Sequence, residues 1–316
     1  MSPHNTVLVL GGNGHLGQAV IRQLISQSIH VISVSRSATQ VVKGIDYIQG
    51  DLSQVEFVKS LRHKANVVIH CASPAYSHWK TQFLPMTDAI IQGFEHSETK
   101  LIYADNLYAY GQHSHALTET DAYLTTSTKG KIRAKAAQRL LDAHHKQMLT
   151  VSIARGSDFY GPNIKHALLG EGVFGAAVAE KSATYVGNLS ARHSFTFIDD
   201  FARALILLAL DHEREGEVWH VPNAPAISPR EILHKVYQQV GAPLKITNVQ
   251  GAIETGLSWI MPSLRAIQET RYQRDFDFVV NDRKFCRHFS FTPTSLDEGI
   301  AQTLAGWKLS PFTVAA

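Results

Sequence analysis

The stretch "VLGGNGHLG", residues 9–17, determines the fold prediction for this chain. It follows the apolar run "TVLVL" (6–10), which has the composition of a buried strand. It leads into "HLGQAVIRQLISQ" (15–27), in which apolar residues recur with the period of a helix. A glycine-rich turn between a first strand and a first helix predicts a dinucleotide-binding βαβ unit.

The three glycines of this turn, spaced G-x-x-G-x-x-G, have separate physical roles. Gly11 allows the sharp bend, Gly14 lets the backbone approach a pyrophosphate, and Gly17 lets the helix pack closely on the strand. The N-terminus of the helix adds unpaired N–H groups and the positive end of its dipole. A tight turn without a ligand is the alternative. We expect the pyrophosphate site to include the neighbouring residues Asn13, His15 and Leu16.

Short β-branched runs alternate with helical patterns through the first half of the chain. Four more of these runs are predicted to be buried strands, at residues 30–35, 66–71, 100–104 and 149–154. Their nearly continuous apolar character is typical of a parallel sheet that is covered on both faces. We predict an α/β fold, a Rossmann-like doubly wound parallel sheet with a smaller, mostly helical C-terminal substrate region.

The rhythm of strands and helices changes after residue 155, where a loop-rich, glycine-rich segment begins. We predict a dinucleotide-binding domain at residues 1–160, to which residues 197–222 return. Residues 161–196 and 223–316 are then the substrate-binding region.

The residues at the end of the second predicted strand distinguish NAD from NADP. A carboxylate at this place would bind the ribose 2′-hydroxyl of NAD, but the chain has Ser35 and Arg36, and no acid before Asp46. A cation matches the 2′-phosphate of NADP, and one such contact contributes roughly 1.5–3 kcal/mol. We therefore predict NADP, with NAD less favoured; a solvated arginine in a loop is the alternative.

Composition excludes several classes of protein. The 316 residues are 44% hydrophobic and 18% charged, and the net charge of +3 is too small and too scattered to predict a nucleic-acid or membrane partner. No apolar run is long enough for a transmembrane helix. Two cysteines, Cys71 and Cys286, make no disulfide framework, so we expect a cytoplasmic protein.

The chain has 17 histidines, and two pairs of them suggest metal binding. His113 and His115 form one pair, and His144 and His145 form the other. No carboxylate or cysteine lies at ligand spacing around either pair in the sequence, so we predict solvated histidines and no metal site.

Seven motifs in order resemble the short-chain dehydrogenase/reductase superfamily, and within it the extended branch of NAD-dependent epimerases and dehydratases. The resemblance runs from about residue 5 to residue 240. It rests on "GGNGHLG" (11–17), "GDLS" (50–53), "VIHCASP" (68–74), "YAYG" (108–111), Lys135 in its helix, "RGSDFYGP" (155–162) and "FIDDFARAL" (197–205).

The resemblance implies a set of cofactor contacts, matched position by position. Asp51 and Leu52 would border the adenine, and Lys135 would bind the nicotinamide ribose. Three residues at the end of the predicted strand 66–71 would line the path of that ribose, namely Cys71, Ala72 and Ser73. The resemblance also suggests a homodimer, by analogy alone.

The chain departs from the family pattern where the catalytic groups are expected. The position that we match to the family's tyrosine holds Lys131 in "TKGKIRAKAAQRL" (128–140). Asn106 stands in the place of the family's serine or threonine, with Asp105 beside it. The arginine that grips substrate phosphates in the family is replaced by His193, although Arg192 is adjacent.

These departures lead to a hypothesis for the acid and base. Lys131 and Lys135 are four residues apart on one helix and are predicted to lie side by side. Two neighbouring cations disfavour each other's charged form, so Lys131 is a candidate proton donor, with Asn106 as hydrogen-bond donor and Asp105 as base. The alternative is a solvated helix face that merely carries exposed cations.

Candidate substrate contacts are Tyr108, Asp158, Tyr160, Arg192 and His193, with His193 expected to face Asp158. We predict an NADP-dependent oxidoreductase, or an epimerase/dehydratase-like enzyme, that acts on a small hydroxy or carbonyl substrate with a non-standard acid/base. The alternative is a non-catalytic NADP-binding sensor or scaffold.

Overall fold

The computed structural model describes residues 6–37, 44–260 and 267–309, which form two compact units. The first unit contains the described residues up to Ala109, together with Thr128–Gly156 and Phe201–Val221. The second contains Tyr110–Ser127, Ser157–Asp200 and the described residues from Pro222 onward.

The described residues contain eleven strands and eleven α-helices. The strands are β1 Thr6–Leu10, β2 His30–Ser35, β3 Ile45–Gln49, β4 Val67–His70, β5 Lys100–Asn106, β6 Thr150–Gly156, β7 Asp158–Tyr160, β8 Ala183–Val186, β9 Phe195–Phe197, β10 Val218–His220 and β11 Ile246–Val249. The helices are α1 His15–Ser26, α2 Val55–Lys59, α3 Leu84–Phe94, α4 Thr128–His145, α5 Ala176–Val178, α6 Ile198–Leu210, α7 Pro229–Val240, α8 Ala252–Ile260, α9 Tyr272–Asp275, α10 Arg283–Phe289 and α11 Leu296–Lys308.

A seven-stranded parallel sheet forms the centre of the first unit, with the strand order β10-β6-β5-β4-β1-β2-β3. Every residue of β1 is buried, as is nearly all of β6, because helices cover both faces of the sheet. The predicted α/β fold with a doubly wound parallel sheet is confirmed. The strand order reverses direction between β1 and β4, which opens a crevice at their carboxyl ends.

Apolar side chains from the sheet and from α3 and α4 make the core of the first unit. Leu8, Val34, Phe94, Leu140 and Val151 are all buried in one cluster. The core therefore fixes the carboxyl edge of the sheet, from which the loops of the crevice extend.

The segment between β4 and α3 is helical but irregular. A single 3₁₀ turn at Tyr76–His78 continues into a π-helical turn at Trp79–Phe83, and then into α3. Such wide turns inside helical segments often mark functional sites, because they redirect side chains. Here they turn aromatic side chains toward α4.

The second unit has two short parallel strand pairs, β7 with β9 and β8 with β11, and is otherwise mostly helical. Its core contains Tyr160, Phe174, Tyr237, Ile300 and Trp307. A capping box starts α7: Glu231 N–H donates to the Ser228 hydroxyl, and the Glu231 carboxylate accepts from Ser228 N–H.

The structure corrects one boundary of the predicted domains. Residues 110–127 belong to the second unit, although the sequence placed them in the dinucleotide-binding domain. Leu117 explains the difference: its N–H donates to the Val279 carbonyl at 2.8 Å, and it bridges to Val280. Among the described residues, no helix is both long enough and apolar enough to cross a membrane.

Candidate functional site

A cavity of about 540 Å³ lies at the carboxyl ends of the strands in the first unit. Open α/β sheets bind ligands at such an edge. The cavity is lined by Gly11, Asn13, Gly14, Val34, Ser35, Arg36, Ser37, Gly50, Asp51, Leu52, Ser53, Cys71, Ala72, Ser73, Pro74, Thr81, Gln82, Pro85 and Met86.

The glycine turn forms one wall of the cavity. Gly11 has a φ of +85°, and a Cβ there would lie 2.6 Å from the backbone nitrogen of Ala72. A Cβ on Gly17 would lie 2.3 Å from the Gly11 carbonyl oxygen. At Gly14, however, the nearest atom to an added Cβ is 3.4 Å away. The fold therefore has no packing need for a glycine at position 14, which lines the open cavity.

The start of α1 fits an anionic ligand. Gly14 is the N-cap residue, and no side chain caps the helix. Backbone N–H groups and the positive end of the dipole of a 12-residue helix are thus directed at the cavity edge. This cradle fits the pyrophosphate of a dinucleotide.

Gly12 was missed by the sequence analysis. A Cβ at this position would lie 2.1 Å from the Ser33 hydroxyl oxygen on β2. The doubled glycine of "GGNG" thus reflects contact between the turn and a neighbouring strand. Only the three-dimensional pairing of β1 with β2 makes this requirement visible.

The loop after β2 forms the opposite end of the cavity and is held by hydrogen bonds. The Asn13 side-chain amide donates to the Ser37 carbonyl at 3.2 Å, and the Gln49 amide donates to the Arg36 carbonyl at 3.1 Å. The Ser35 hydroxyl donates to the Ser37 carbonyl at 2.8 Å. The backbone at Arg36 is therefore fixed, while its side chain is exposed along the cavity rim.

The loop after β4 lines the middle of the cavity. Cys71 N–H donates to the Leu10 carbonyl at 2.8 Å, which joins this loop to β1. Burial raises the pKa of the Cys71 thiol to about 12, so the thiol is neutral and unreactive. Cys71, Ala72, Ser73, Asp51 and Leu52 all line the cavity, where the family resemblance implied cofactor contacts.

The cations that are buried on α4 differ from the two that the sequence suggested. Lys131 and Lys135 are exposed, and neither lines the cavity. Lys129 and Arg133 are buried. The structure therefore does not bring Lys131 and Lys135 to the cavity. The buried pair on α4 lies two residues earlier, at Lys129 and Arg133, which do not line the cavity either.

The packing of α4 gives the physical reason for this shift. Its apolar side is formed by Ile132, Ala136 and Leu140, which are buried. Positions 129 and 133 flank that side, whereas 131 and 135 lie across the helix from it. Both pairs have the same i, i+4 spacing, so spacing alone does not distinguish them.

Arg133 is held by an acid, a phenol and two aromatic faces. Its guanidinium donates to the Tyr103 hydroxyl at 2.8 Å and to the Asp105 carboxylate at 3.2 Å. It lies over the rings of Trp79 and Phe83, at 4.7 and 4.6 Å from their centroids. Burial alone would lower its pKa, but Tyr103 and Asp105 outweigh burial and raise the pKa.

Asp105 is a buried bridge between two arginines. One carboxylate oxygen accepts from Arg133, and the other accepts from Arg155 Nε at 3.0 Å. The Asp105 side chain has no exposed surface, so it is inaccessible to a substrate. The geometry therefore supports a structural role for Asp105 in place of the predicted role as a base.

Two phenols, those of Tyr76 and Tyr108, lie close to each other near Lys129. The hydroxyl oxygens of Tyr76 and Tyr108 are 3.0 Å apart, and Lys129 Nζ lies 5.4 Å from the centroid of the Tyr76 ring. The Tyr76 ring stacks on Trp79 at 4.8 Å, and Trp79 Nε1 donates to the Pro74 carbonyl. Pro74 lines the cavity, whereas the two phenols do not; Trp79 connects them to the cavity wall.

Asn106 serves the backbone of the loop that carries Tyr108. Its side-chain oxygen accepts the Tyr108 N–H at 3.2 Å. Tyr76, Trp79, Lys129 and Arg133 were missed by the sequence analysis. The apolar phase of α4 would have found the two cations, whereas no local pattern marks the two aromatic residues.

The other predicted substrate residues belong to the second unit. His193 Nε2 lies 3.1 Å from the Asp158 carboxylate, as expected, although the atoms are not aligned for a hydrogen bond. His193 Nδ1 contacts the Gln273 carbonyl at 3.0 Å. Tyr160 is buried and stacks on Phe174, and burial raises the pKa of its phenol. Arg192 is exposed.

One histidine pair has a carboxylate beside it that the spacing in the sequence did not predict, although His115 is exposed to solvent as expected. Possible ligand atoms of His113, His115 and Asp121 lie within 4.8 Å of one another in the second unit. Asp121 accepts the Thr118 N–H at 2.8 Å, and it contacts His115 Nε2 at 3.1 Å. The turn at Thr118 brings this carboxylate back to the histidines, a contact that linear spacing did not reveal.

Residues 7–222 match the model of the NAD dependent epimerase/dehydratase family. A 2-alkyl-3-oxoalkanoate reductase of Stenotrophomonas maltophilia (strain K279a) is 26% identical over 259 residues, covering 75% of this chain and 76% of that protein. A decarboxylating sterol-4-alpha-carboxylate 3-dehydrogenase of Saccharomyces cerevisiae is 35% identical over 89 residues, which are 24% of this chain and 26% of that protein.

Solved structures share the fold. The dTDP-glucose 4,6-dehydratase from Bacillus anthracis in complex with NAD superposes with a TM-score of 0.80, covering 98% of both chains at 16% identity. At that identity, the likeness carries over the fold alone.

Proposed function

This chain belongs to the NAD dependent epimerase/dehydratase family, and from this premise we propose that it is an oxidoreductase for a small 3-oxo or 3-hydroxy carboxylate. The observation that carries the proposal is the crevice between β1 and β4, with open space beside Gly14 and buried cations on α4. A nicotinamide cofactor fits this crevice, because the turn, the start of α1 and the loop after β4 match the parts of a dinucleotide.

We propose NADP as the preferred cofactor. Arg36 lies on the cavity rim between Ser35 and Ser37, and its backbone is fixed by Gln49. A guanidinium pairs well with a phosphate, since its N–H groups are spaced for two parallel hydrogen bonds. The carboxylate that lines the cavity, Asp51, follows β3 and accepts the Ser53 N–H, so it belongs to a local turn.

The proposed substrate class has two supports. Both curated relatives carry names that place a carboxylate one carbon away from the carbon that is oxidised or reduced. In this chain, Lys129 on α4 supplies positive charge beside the ring of Tyr76, one of the two phenols. A substrate carboxylate would make a charge-assisted contact with this ammonium.

The residues of this chain would divide the work as follows. The glycine turn and α1 bind the pyrophosphate, and Arg36 selects the cofactor. The bound nicotinamide supplies or accepts a hydride at the substrate carbon. Lys129 orients the carboxylate, while Trp79 and Phe83 exclude water from the guanidinium of Arg133.

The test is the rate of NADPH and NADH oxidation with freshly prepared 2-methyl-3-oxopentanoate and with its methyl ester. We expect NADPH to be oxidised with the acid, and the ester to be at least about ten-fold poorer in kcat/KM, because one charge-assisted contact is lost. The reverse reaction with NADP⁺ and 3-hydroxy-2-methylpentanoate is the companion assay. Cofactor binding without turnover of either substrate would instead favour a non-catalytic sensor or scaffold.

A further inference from the structure

The site needs a proton donor, and α4 presents none of the expected kind, since its inward side chains in the first turns are Lys129 and Arg133. We propose that Tyr76, on the irregular turn after β4, is the catalytic acid and base, with Tyr108 as a positioning residue and Lys129 as the cation that stabilises the phenolate. This inference rests on the proposed function and names the group that moves its proton.

The position of Tyr76 meets the first requirement of such a role, which is access. The residue is 46% exposed, whereas Tyr108 is 9% exposed. It follows Ser73 and Pro74, which line the cavity, by two or three residues. Tyr76 does not line the cavity itself, but it lies on the segment that continues from the cavity wall, and its exposed side can take up a proton from solvent.

The second requirement is a fixed hydroxyl. Tyr76 stacks on Trp79 with an interplanar angle of 12°, and Trp79 is held by its bond to Pro74. The Tyr76 hydroxyl lies 3.0 Å from that of Tyr108. Tyr108 is buried, and its N–H is bonded to Asn106. The ring and the hydroxyl of Tyr76 are thus held by separate contacts, which favours catalysis because less reorganisation is needed.

The third requirement is a group that favours the phenolate. Lys129 is buried and its Nζ lies over the Tyr76 ring, 5.4 Å from the centroid. A cation over the ring would stabilise the negative charge that the phenol gains when it gives up its proton. The phenol and the amine thus come from two separate segments, the turn after β4 and α4.

The reaction balances without a further reagent. In the reductive direction the carbonyl carbon of the substrate gains a hydride, which the reduced nicotinamide loses as it is oxidised. The C=O double bond becomes a single bond, and its oxygen takes the proton of the Tyr76 hydroxyl. The phenolate of Tyr76 then regains a proton from solvent through its exposed side.

Other candidate donors in the first unit are less suited to this role. Asp105 has both oxygens engaged by arginines, and the neutral Cys71 has a pKa of about 12. Lys131 and Lys135 are exposed on the far side of α4. The phenol pair is therefore the group that combines access, a fixed position and a nearby cation.

The first test compares Tyr76→Phe with Tyr108→Phe, and uses Tyr47→Phe on β3 as the matched control. We expect Tyr76→Phe to lower kcat by about 100-fold or more, the usual contribution of a general acid, while the Kd for NADPH changes less than about three-fold. Tyr108→Phe should lower kcat less and shift the pH profile, and Tyr47→Phe should do neither. A Tyr76→Phe variant that keeps more than about a third of kcat would overturn the proposal.

A second measurement does not need a substrate. In a crystal structure of the wild-type protein with NADPH, we expect the Tyr76 hydroxyl oxygen within about 7 Å of the nicotinamide C4, the reach allowed by one carbonyl group between them. A distance above about 10 Å would overturn the proposal even if the protein reduces 3-oxo acids. Conversely, a short distance in a protein that reduces none of them would leave Tyr76 in place and reject the proposed substrate class.

Discussion

Two regions of the first unit are stabilised by different kinds of contact. We call the glycine turn the backbone end, and the start of α4 with its aromatic neighbours the side-chain end. At the glycine turn, backbone atoms form the close contacts. Gly11 and Gly17 have no room for a side chain, because the neighbouring backbone packs directly against them. At the start of α4, side chains form the contacts. Lys129 packs over the ring of Tyr76, and Arg133 packs over the ring of Trp79 and pairs with the Asp105 carboxylate. The glycine turn thus depends on close backbone packing, whereas the start of α4 depends on ion pairs and cation–ring contacts.

In the proposed function, cofactor binding and proton transfer therefore use separate segments of the first unit. Close packing leaves few alternatives to glycine at positions 11, 12 and 17. A cation or a phenol, by contrast, can be supplied from more than one segment, and in our proposal Lys129 comes from α4 and Tyr76 from the turn after β4. The following changes test each end, and they are ordered by the size of the expected effect.

The largest effect is expected from Asp105→Ala at the side-chain end. The change leaves the buried guanidinium groups of Arg133 and Arg155 without their shared carboxylate. We expect the free energy of unfolding to fall by about 3–5 kcal/mol, as measured by urea denaturation. The control is Asp46→Ala, whose exposed ion pair with His30 should contribute less than about 1 kcal/mol. Equal losses in the two variants would show that the bridge is unimportant.

A large effect on binding is expected from Gly14→Val at the backbone end. The new side chain would fill the space beside the start of α1, so the Kd for NADPH should rise by about 100-fold or more, or about 2.7 kcal/mol. Thermal unfolding without cofactor should change little. Gly17→Val is the contrasting variant: its Cβ would meet the Gly11 carbonyl, and it should unfold at a clearly lower temperature. Normal cofactor binding by Gly14→Val would contradict the pyrophosphate assignment.

An intermediate effect is expected from Arg36→Ala. Loss of one charge-assisted contact should raise the Kd for NADPH by about ten- to a hundred-fold. The Kd for NADH should change less than about three-fold, because NADH lacks the 2′-phosphate. Isothermal titration of both cofactors with both proteins measures the difference. A preference for NADPH that is unchanged in Arg36→Ala would move the selection elsewhere in the cavity.

The smallest effect is expected from Lys131→Met, the change that the sequence alone would rank first. The side chain is exposed, so stability should change by less than about 0.5 kcal/mol and kcat should stay near the wild-type value. Lys129→Met, two residues earlier, should lower kcat and shift its pH dependence. If Lys131→Met lowers kcat and Lys129→Met does not, then the exposed side of α4 is the functional one. The proposed role of the buried side-chain end would then be wrong.

The fold was predictable from the sequence because its signals are local. Buried strands such as β1 and β6 are continuous apolar runs, and the glycine turn lies between a strand and a helix. These features depend on neighbouring residues only. The resemblance to the family was readable for the same reason, since its motifs follow the strands in order.

The side-chain end was only partly predictable. Four cations alternate along the start of α4, at 129, 131, 133 and 135, and either pair satisfies the same spacing. The phase is set by the burial of Ile132 and Ala136, which depends on the packing of α4 against the rest of the unit. Tyr76 and Tyr108 meet across 32 residues of sequence, so no local pattern could pair them.

The strand β10 has a consequence for how this protein is made. It pairs with β6 at the edge of the sheet. However, the end of β6 at Gly156 and the start of β10 at Val218 are separated by a long segment that belongs mainly to the second unit. On the ribosome, β6 therefore waits with an unpaired, apolar edge until β10 has been synthesised, and such edges are prone to intermolecular pairing. A fragment cut after residue 160 would keep that edge permanently, so the nucleotide-binding unit cannot be obtained by simple truncation of the chain.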